Sequence, residues 1–294
     1  AGGSPRAAGG GGRGPRVGAR ILAGLGAWVM LVAPGGCGPD TRGEEARPVL
    51  SWEAAADSVR RSVHSVWASR LTGDSSASAF GPVGTAFAVD RRGLVLSNAH
   101  VVTGGDGRPL SRLHVLVQGE DGNRVYPAEA VAVDVRRDLA LLRIGDTTLV
   151  PVRWSEDRAS MGAPLATIGY GLPEGGVVDT TGGSITTRFT VFPRFVAGYS
   201  SGYRTLEAGD PSTNVLELDL ALFPGVSGGP VFRPDGGVVG VNWRQIRVRS
   251  DPTPFGTAIP VLVVRQFLDA VRDSAGIPAI PPLPAGSSDG DLDP

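Results

Sequence analysis

Between Val83 and Val264 no segment sustains a 3.6-residue apolar period. Short β-rich runs recur instead, each closed by Gly, Pro, Asp or Asn: GTAFAVD, GLVLSNA, LHVLVQG, EAVAVDV, LALLRIG, PLATIGYG, GSITTRFTVF, NVLELDLAL, GPVFR, GVVGVNW and GTAIP. About eleven such runs, separated by turn chemistry, restrict the chain to an all-β fold, either a sandwich or a pair of β-barrels. The 44 glycines and 24 prolines fit the tight connections such a fold needs. The run RWSEDRASMGA at 153–163 interrupts the pattern and divides it into an N-terminal half, about 62–153, and a C-terminal half, about 163–260.

Two helices flank the strands. Ser51 is placed as an N-cap with Glu53 in the first turn, which predicts a short helix over about 52–61, followed by a strand over about 62–70. After Ile259, Pro260 stands at a first-turn position, apolar residues follow at helical spacing and Gly276 stops the run, so a terminal helix over about 260–275 is expected to pack on the second half. Residues 72–82 read as a loop. Residues 186–214 read as the longest irregular part, its aromatics Phe189, Phe192, Phe195, Tyr199 and Tyr203 being the packing of a hairpin, with a lid or an oligomer contact as its expected use. Residues 277–294, Pro-rich and then acidic, read as a disordered tail.

A formal net charge of -1, with 19% charged residues, leaves no whole-chain field that would attract nucleic acid or an anionic surface. Residues 1–48 stand apart. Four arginines without an acid precede the thirteen-residue apolar run ILAGLGAWVMLVA, and a small-residue exit leads to Cys37, the single cysteine, which excludes an intrachain disulfide. Thirteen helical residues span about 20 Å, short of the roughly 30 Å hydrocarbon core, so export to the periplasm or cell envelope is expected over spanning. The segment resembles a bacterial lipoprotein signal, with Cys37 as the lipidation site, although Pro34 stands where that family usually has Leu. Ordinary cleavage between Ala33 and Gly38 and an uncleaved membrane anchor are the alternatives.

Candidates for chemistry are few. Of the three histidines, His100 in GLVLSNAHVV sits where a buried strand emerges into a turn, whereas His64 and His114 lie within strands as surface or half-buried rings. Asp138 opens the apolar run DLALLRI, where a carboxylate must find a partner or suffer desolvation. Held against an imidazole, it would fix the tautomer and stabilise the protonated ring. The stretch FPGVSGGPVF, residues 223–232, surrounds Ser227 with glycines. A serine hydroxyl needs an adjacent base to act as a nucleophile, and acyl transfer needs two backbone N–H groups aimed at the oxyanion. Gly225 can turn its N–H inward beside that of Ser227, and Gly228-Gly229 would leave room for a substrate strand.

In this order the stretches GTAFAVDRRGLVLSNAHVV, RRDLALLRI, PGVSGGPVF with GGVVGVN, and GTAIPVLVVRQFLD make the chain resemble the chymotrypsin-like serine peptidases of the HtrA (high-temperature-requirement) branch, over about 50–273. The resemblance implies a peptidase domain at 49–276, built of two six-stranded β-barrels with the catalytic cleft between them. His100 would be general base and acid, Asp138 its orienting partner and Ser227 the nucleophile, with the oxyanion hole at the N–H groups of Gly225 and Ser227. Substrate would pair with Val239, Gly240 and Val241, and the pocket for the residue before the cleaved bond would be lined by Ala221, Leu222 and the stretch up to Asn242. With no acid at Ala221, that pocket would favour a small or medium apolar side chain.

Val226 stands where HtrA relatives usually carry Asn, and it offers no hydrogen bond to the oxyanion loop. The PDZ domains common in the branch have no counterpart in the residues after 276. No cofactor or metal is implied. Partners would be polypeptides, with homo-oligomers as a further expectation. A peptidase-like module that binds peptides without cutting is the alternative function.

Overall fold

The structure is a computed structural model that describes residues 51–71, 78–119, 122–145, 147–171, 178–179, 186–187, 193–205, 214–248 and 251–275. The segment 1–48 with Cys37, the tail from 277, Phe189 and Phe192 lie outside them. No helix of the described residues is long and apolar enough to cross a membrane.

The chain enters through α1 (Trp52–Arg60), capped by the Ser51 hydroxyl, which accepts a hydrogen bond from the Ala54 N–H at 3.2 Å. Its Ala55 and Val59, one turn apart, are buried. Six strands then close the first barrel: β1 (Val63–Leu71), β2 (Ser78–Ala88), β3 (Leu94–Ser97), β4 (His114–Gly119), β5 (Gly122–Asp134) and β6 (Leu139–Ile144), in the order β1-β2-β3-β6-β5-β4. A four-residue helix, α2 (Ala99–Val102), follows β3.

The second barrel uses β7 (Pro164–Tyr170), β10 (Pro193–Thr205), β11 (Asn214–Asp219), β12 (Pro230–Phe232), β13 (Val238–Val248) and β14 (Asp251–Pro260), in the order β10-β11-β14-β13-β12-β7. Between β7 and β10, the pair β8 (Val178–Asp179) and β9 (Thr186–Thr187) forms a separate small sheet. The helix α3 (Val261–Ala275) closes the described chain, burying Val263, Val264, Phe267 and Leu268 at helical spacing.

Strand β6 shows how one short sequence serves two cores. Ala140 and Leu142 point into the first barrel beside Val66, Ala86 and Val95, while Leu139 and Leu141 face outward with Phe87 and Leu96. Those outward side chains pack with Ile168, Tyr170, Phe232 and Val241 of the second barrel, so Leu139–Leu142 read as unbroken apolar sequence because both faces are covered there, and Arg143 beyond them is exposed. A third cluster, with Leu165, Leu216, Leu218, Leu222, Val226 and Val239, fills the second barrel. Tyr170 reaches across the junction, its hydroxyl 3.3 Å from the Val63 carbonyl and 3.1 Å from Gln118 Oε1.

Three expectations need correction. Strand β2 starts at Ser78, so 78–82 is not loop; Pro82 fits a strand because the register with β1 jumps from Gly84 to Pro82, a bulge that spares a ladder hydrogen bond. The supposedly irregular region contains β10, a thirteen-residue barrel strand paired with both β7 and β11. Its alternation is hidden because most of its side chains are exposed or half-buried and its register slips between Ser200 and Gly202. His64 is neither surface nor half-buried: it is 1% exposed, on β1 of the first barrel, and neither ring nitrogen has a hydrogen-bond partner among the described residues. Desolvation pushes its pKa down to about 4.

Candidate active site

His100 is delivered by the abrupt end of β3. Ser97 is the last strand residue, Asn98 takes an extended N-cap conformation, and α2 then turns His100 out so that its side chain is 46% exposed. Asp138 comes from the turn before β6 and adopts φ +54°, a left-handed conformation that Asp tolerates better than most residues. The Asn98 side-chain amide donates to the Asp138 carbonyl at 3.0 Å and holds that turn.

Both carboxylate oxygens of Asp138 then serve His100. Oδ1 accepts from its backbone N–H at 2.8 Å, and Oδ2 lies 2.6 Å from Nδ1. A carboxylate at Nδ1 keeps the proton there and leaves Nε2 as the basic nitrogen.

The serine-bearing loop runs from the end of β11 to β12. Phe223, Pro224, Gly225 and Val226 form a turn closed by the Val226 N–H donating to the Phe223 carbonyl at 3.1 Å. With Pro at the second position and φ +96° at Gly225, this is a type II turn, which needs glycine at its third position. Ser227 is half-buried, and its hydroxyl donates to the Trp243 carbonyl at 3.1 Å.

The two segments are pressed together through glycine. A Cβ on Gly228, itself at φ +83°, would collide with the Thr85 carbonyl, lie 2.5 Å from Ser97 Oγ and sit 3.1 Å from the Asn98 nitrogen. A Cβ on Gly84 would meet Val101 at 2.6 Å and the Ser227 carbonyl at 3.2 Å. The neighbour of Ser227 therefore touches the backbone two residues before His100. Gly228 and Gly229 are buried against Thr85, Ser97 and Ile168, so the space they spare is filled by the protein's own backbone rather than left for a substrate strand. His100, Asp138 and Trp243 together line an open cavity of about 610 Å³, flanked by Arg136 and Arg244.

The expected substrate-binding residues are placed unevenly. Gly240 and Val241 are flanked by strands on both sides, in register with Val231 and Pro230 of β12 and with Pro260 and Ile259 of β14, so they have no free edge to offer. Val239 is fully buried in the same cluster as Leu222, and Ala221 alone is exposed. Asn242 is fully buried, its amide bonded to the Thr167 hydroxyl. Among the described strands, only β14 pairs with β13 beyond Asn242, at Arg244, Gln245 and Ile246, leaving the opposite edge there unpaired by strand. Sequence reasoning missed Asn98, Trp243 and Thr85, which are ordinary polar or aromatic residues within strand patterns and carry no local mark.

Comparison with known proteins identifies the domain. Residues 84–241 match the trypsin-like peptidase domain model. A probable periplasmic serine endoprotease, DegP-like, of Halomonas elongata is 30% identical over 196 residues, covering 66% of this chain and 36% of its own. Serine protease HTRA2, mitochondrial, of Drosophila ananassae is 29% identical over 192 residues, covering 65% of this chain and 39% of its own. The chain thus spans little more than a third of the length of these relatives. With a domain match over more than half its length, the chain belongs to the trypsin-like peptidase domain family, and its sequence is similar to DegP-like and HTRA2 serine proteases.

Proposed function

We propose that the protein is a serine endopeptidase that hydrolyses extended or unfolded polypeptide segments through Ser227, His100 and Asp138. The observation that carries this reading is the double contact of Asp138 with His100, which reserves Nε2 for proton transfer. His100 takes the Ser227 proton as Oγ attacks the substrate carbonyl, and the N–H groups of Gly225 and Ser227 stabilise the oxyanion. The protonated ring then gives its proton to the departing amine, leaving an acyl-enzyme. Water, deprotonated by the same nitrogen, releases the acid and restores Ser227.

Substrate binding follows from the same surfaces. The β13 edge at Arg244–Ile246 is available for strand addition. Ala221 carries no acid and its chain neighbour Leu222 belongs to an apolar cluster, which supports a small or medium apolar residue before the cleaved bond. The basic-then-apolar segment ahead of Cys37, together with relatives named as periplasmic, supports an exported location.

A fluorophosphonate probe and a denatured protein substrate test the reading together. Wild-type protein is expected to be labelled and to leave fragments ending in small or medium apolar residues, with both activities lost in Ser227→Ala. A folded wild type that neither labels nor cleaves would identify a binding module instead.

A further inference from the structure

The nucleophile loop presents a physical problem. Its turn must hold the Pro224–Gly225 peptide in one of two orientations, yet the Val226 side chain has no polar atom with which to brace it and is 2% exposed within an apolar cluster. The bracing comes from the other barrel. Thr85, in the middle of β2, is fully buried and uses every polar atom it has. Its hydroxyl donates to the Gly225 carbonyl at 2.7 Å and accepts from the Tyr170 N–H at 2.8 Å. Its N–H donates to the Ser227 carbonyl at 2.9 Å, and its carbonyl accepts from the Ser97 hydroxyl at 2.7 Å.

We propose that Thr85 is the positioning residue for the oxyanion loop, its hydroxyl holding the Gly225–Val226 peptide so that the Gly225 N–H stays aimed at the oxyanion. This rests on the serine peptidase reading. A hydroxyl has one proton, and Thr85 spends it on Gly225 while a lone pair takes the Tyr170 N–H, so the rotamer is locked from both sides. The Gly225–Val226 peptide is consequently pinned at both ends, its oxygen by Thr85 and its N–H by the Phe223 carbonyl.

With that plane fixed, and with the proline ring limiting φ at Pro224, the type II turn is retained. Conversion to type I would rotate the Pro224–Gly225 peptide by about 180° and carry the Gly225 N–H away from the site. Loss of the Thr85 hydroxyl leaves two buried groups, the Gly225 carbonyl and the Tyr170 N–H, without partners, and rearrangement of the turn is the nearest way to satisfy them. The Ser97 hydroxyl ties the carbonyl of the same threonine to the segment that leads to His100, so one residue links the base and the oxyanion loop, through its carbonyl to the first and its hydroxyl to the second.

The test compares Thr85→Val, which keeps the shape and removes the hydroxyl, with Thr85→Ser, which keeps the hydroxyl. Rates on a peptide substrate are normalised to folded protein, and affinity for a peptide boronate, which forms a tetrahedral adduct, is measured alongside. For Thr85→Val the expected result is a kcat lower by about 100-fold or more, with KM within about twofold and boronate affinity falling in parallel, as when an oxyanion donor is lost. Thr85→Ser is expected to stay within about threefold of wild type, because it retains the donor.

A Thr85→Val protein that loses thermal stability but keeps wild-type kcat and boronate affinity overturns the proposal, as does a Thr85→Ser protein as impaired as the valine variant. If the valine variant does not fold, Thr85→Cys, a weak donor of similar volume, is read by the same criteria: kcat reduced at constant KM supports the proposal, and an unchanged kcat overturns it. A wild type without cleavage would instead defeat the peptidase reading on which this rests.

Discussion

The carboxylate of Asp138 meets His100 twice, at the ring Nδ1 and at the backbone N–H, with distances of 2.6 and 2.8 Å. Both contacts are donations by His100, so the position requires two acceptor oxygens. Asparagine supplies only one, and it tolerates the left-handed backbone at φ +54°. Asp138→Asn should therefore fold and lose about four orders of magnitude in kcat through the wrong imidazole tautomer. Steady-state kinetics with a matched melting curve check this, and a loss below tenfold would mean that another group orients His100.

His64 makes the first barrel sensitive to acid. The unfolded chain binds a proton on this ring below its ordinary value of 6.5, whereas the folded chain resists until about 4, so stability is lost as pH falls through that window. His64→Leu removes the effect. Its stability relative to wild type should rise by about 2 kcal/mol between pH 7.5 and 5.0, measured by urea unfolding. An equal difference at both pH values would show that His64 does not carry the acid sensitivity over this range.

Gly228 has no room for a methyl group and sits at a positive φ, with the Thr85 carbonyl and Ser97 Oγ in the way. Gly228→Ala should cost about 3 kcal/mol or more, and activity should fall with it because the loop must move from the His100 segment. Gly81→Ala is the matched control, since nothing lies within 4 Å of its Cβ position. It should change stability by no more than about 0.5 kcal/mol in thermal unfolding.

Restoring the asparagine common in HtrA relatives should not help this chain. The Val226 side chain packs on the Gly169 backbone, where a Cβ added to Gly169 would lie only 2.7 Å from Val226 Cγ2, and within an apolar cluster with Leu220 and Leu222. Val226→Asn buries an amide there and should destabilise by about 1–3 kcal/mol. Its kcat should not rise, because Thr85 already takes the Gly225 carbonyl. A more active variant would show that the loop lacks support.

Apart from β10, and from GSITTRFTVF of which only Thr186 and Thr187 are described, the strand runs, the two flanking helices and the three stretches around His100, Asp138 and Ser227 were legible in the sequence because each depends on local chemistry. Period, caps and turn residues act over a few positions. Gly228 was legible as a required glycine, but its reason was not: the space it leaves is taken by Thr85, more than a hundred residues away, and not by substrate. Val239–Val241 read correctly as strand, yet only strand order shows that β12 and β14 occupy both edges at Gly240 and Val241.

By itself, then, the sequence determined an all-β chain with a histidine, an aspartate and a glycine-framed serine at the ends of its strands. The tertiary structure decided which atoms meet. Asp138 faces His100 across 38 positions because β3 and β6 pair side by side in the first barrel, and Thr85 braces Gly225 across 140 because the two barrels press their outer faces together. Contacts of that range leave no period or turn signal, since strand pairing and barrel packing alone bring these groups within hydrogen-bond distance.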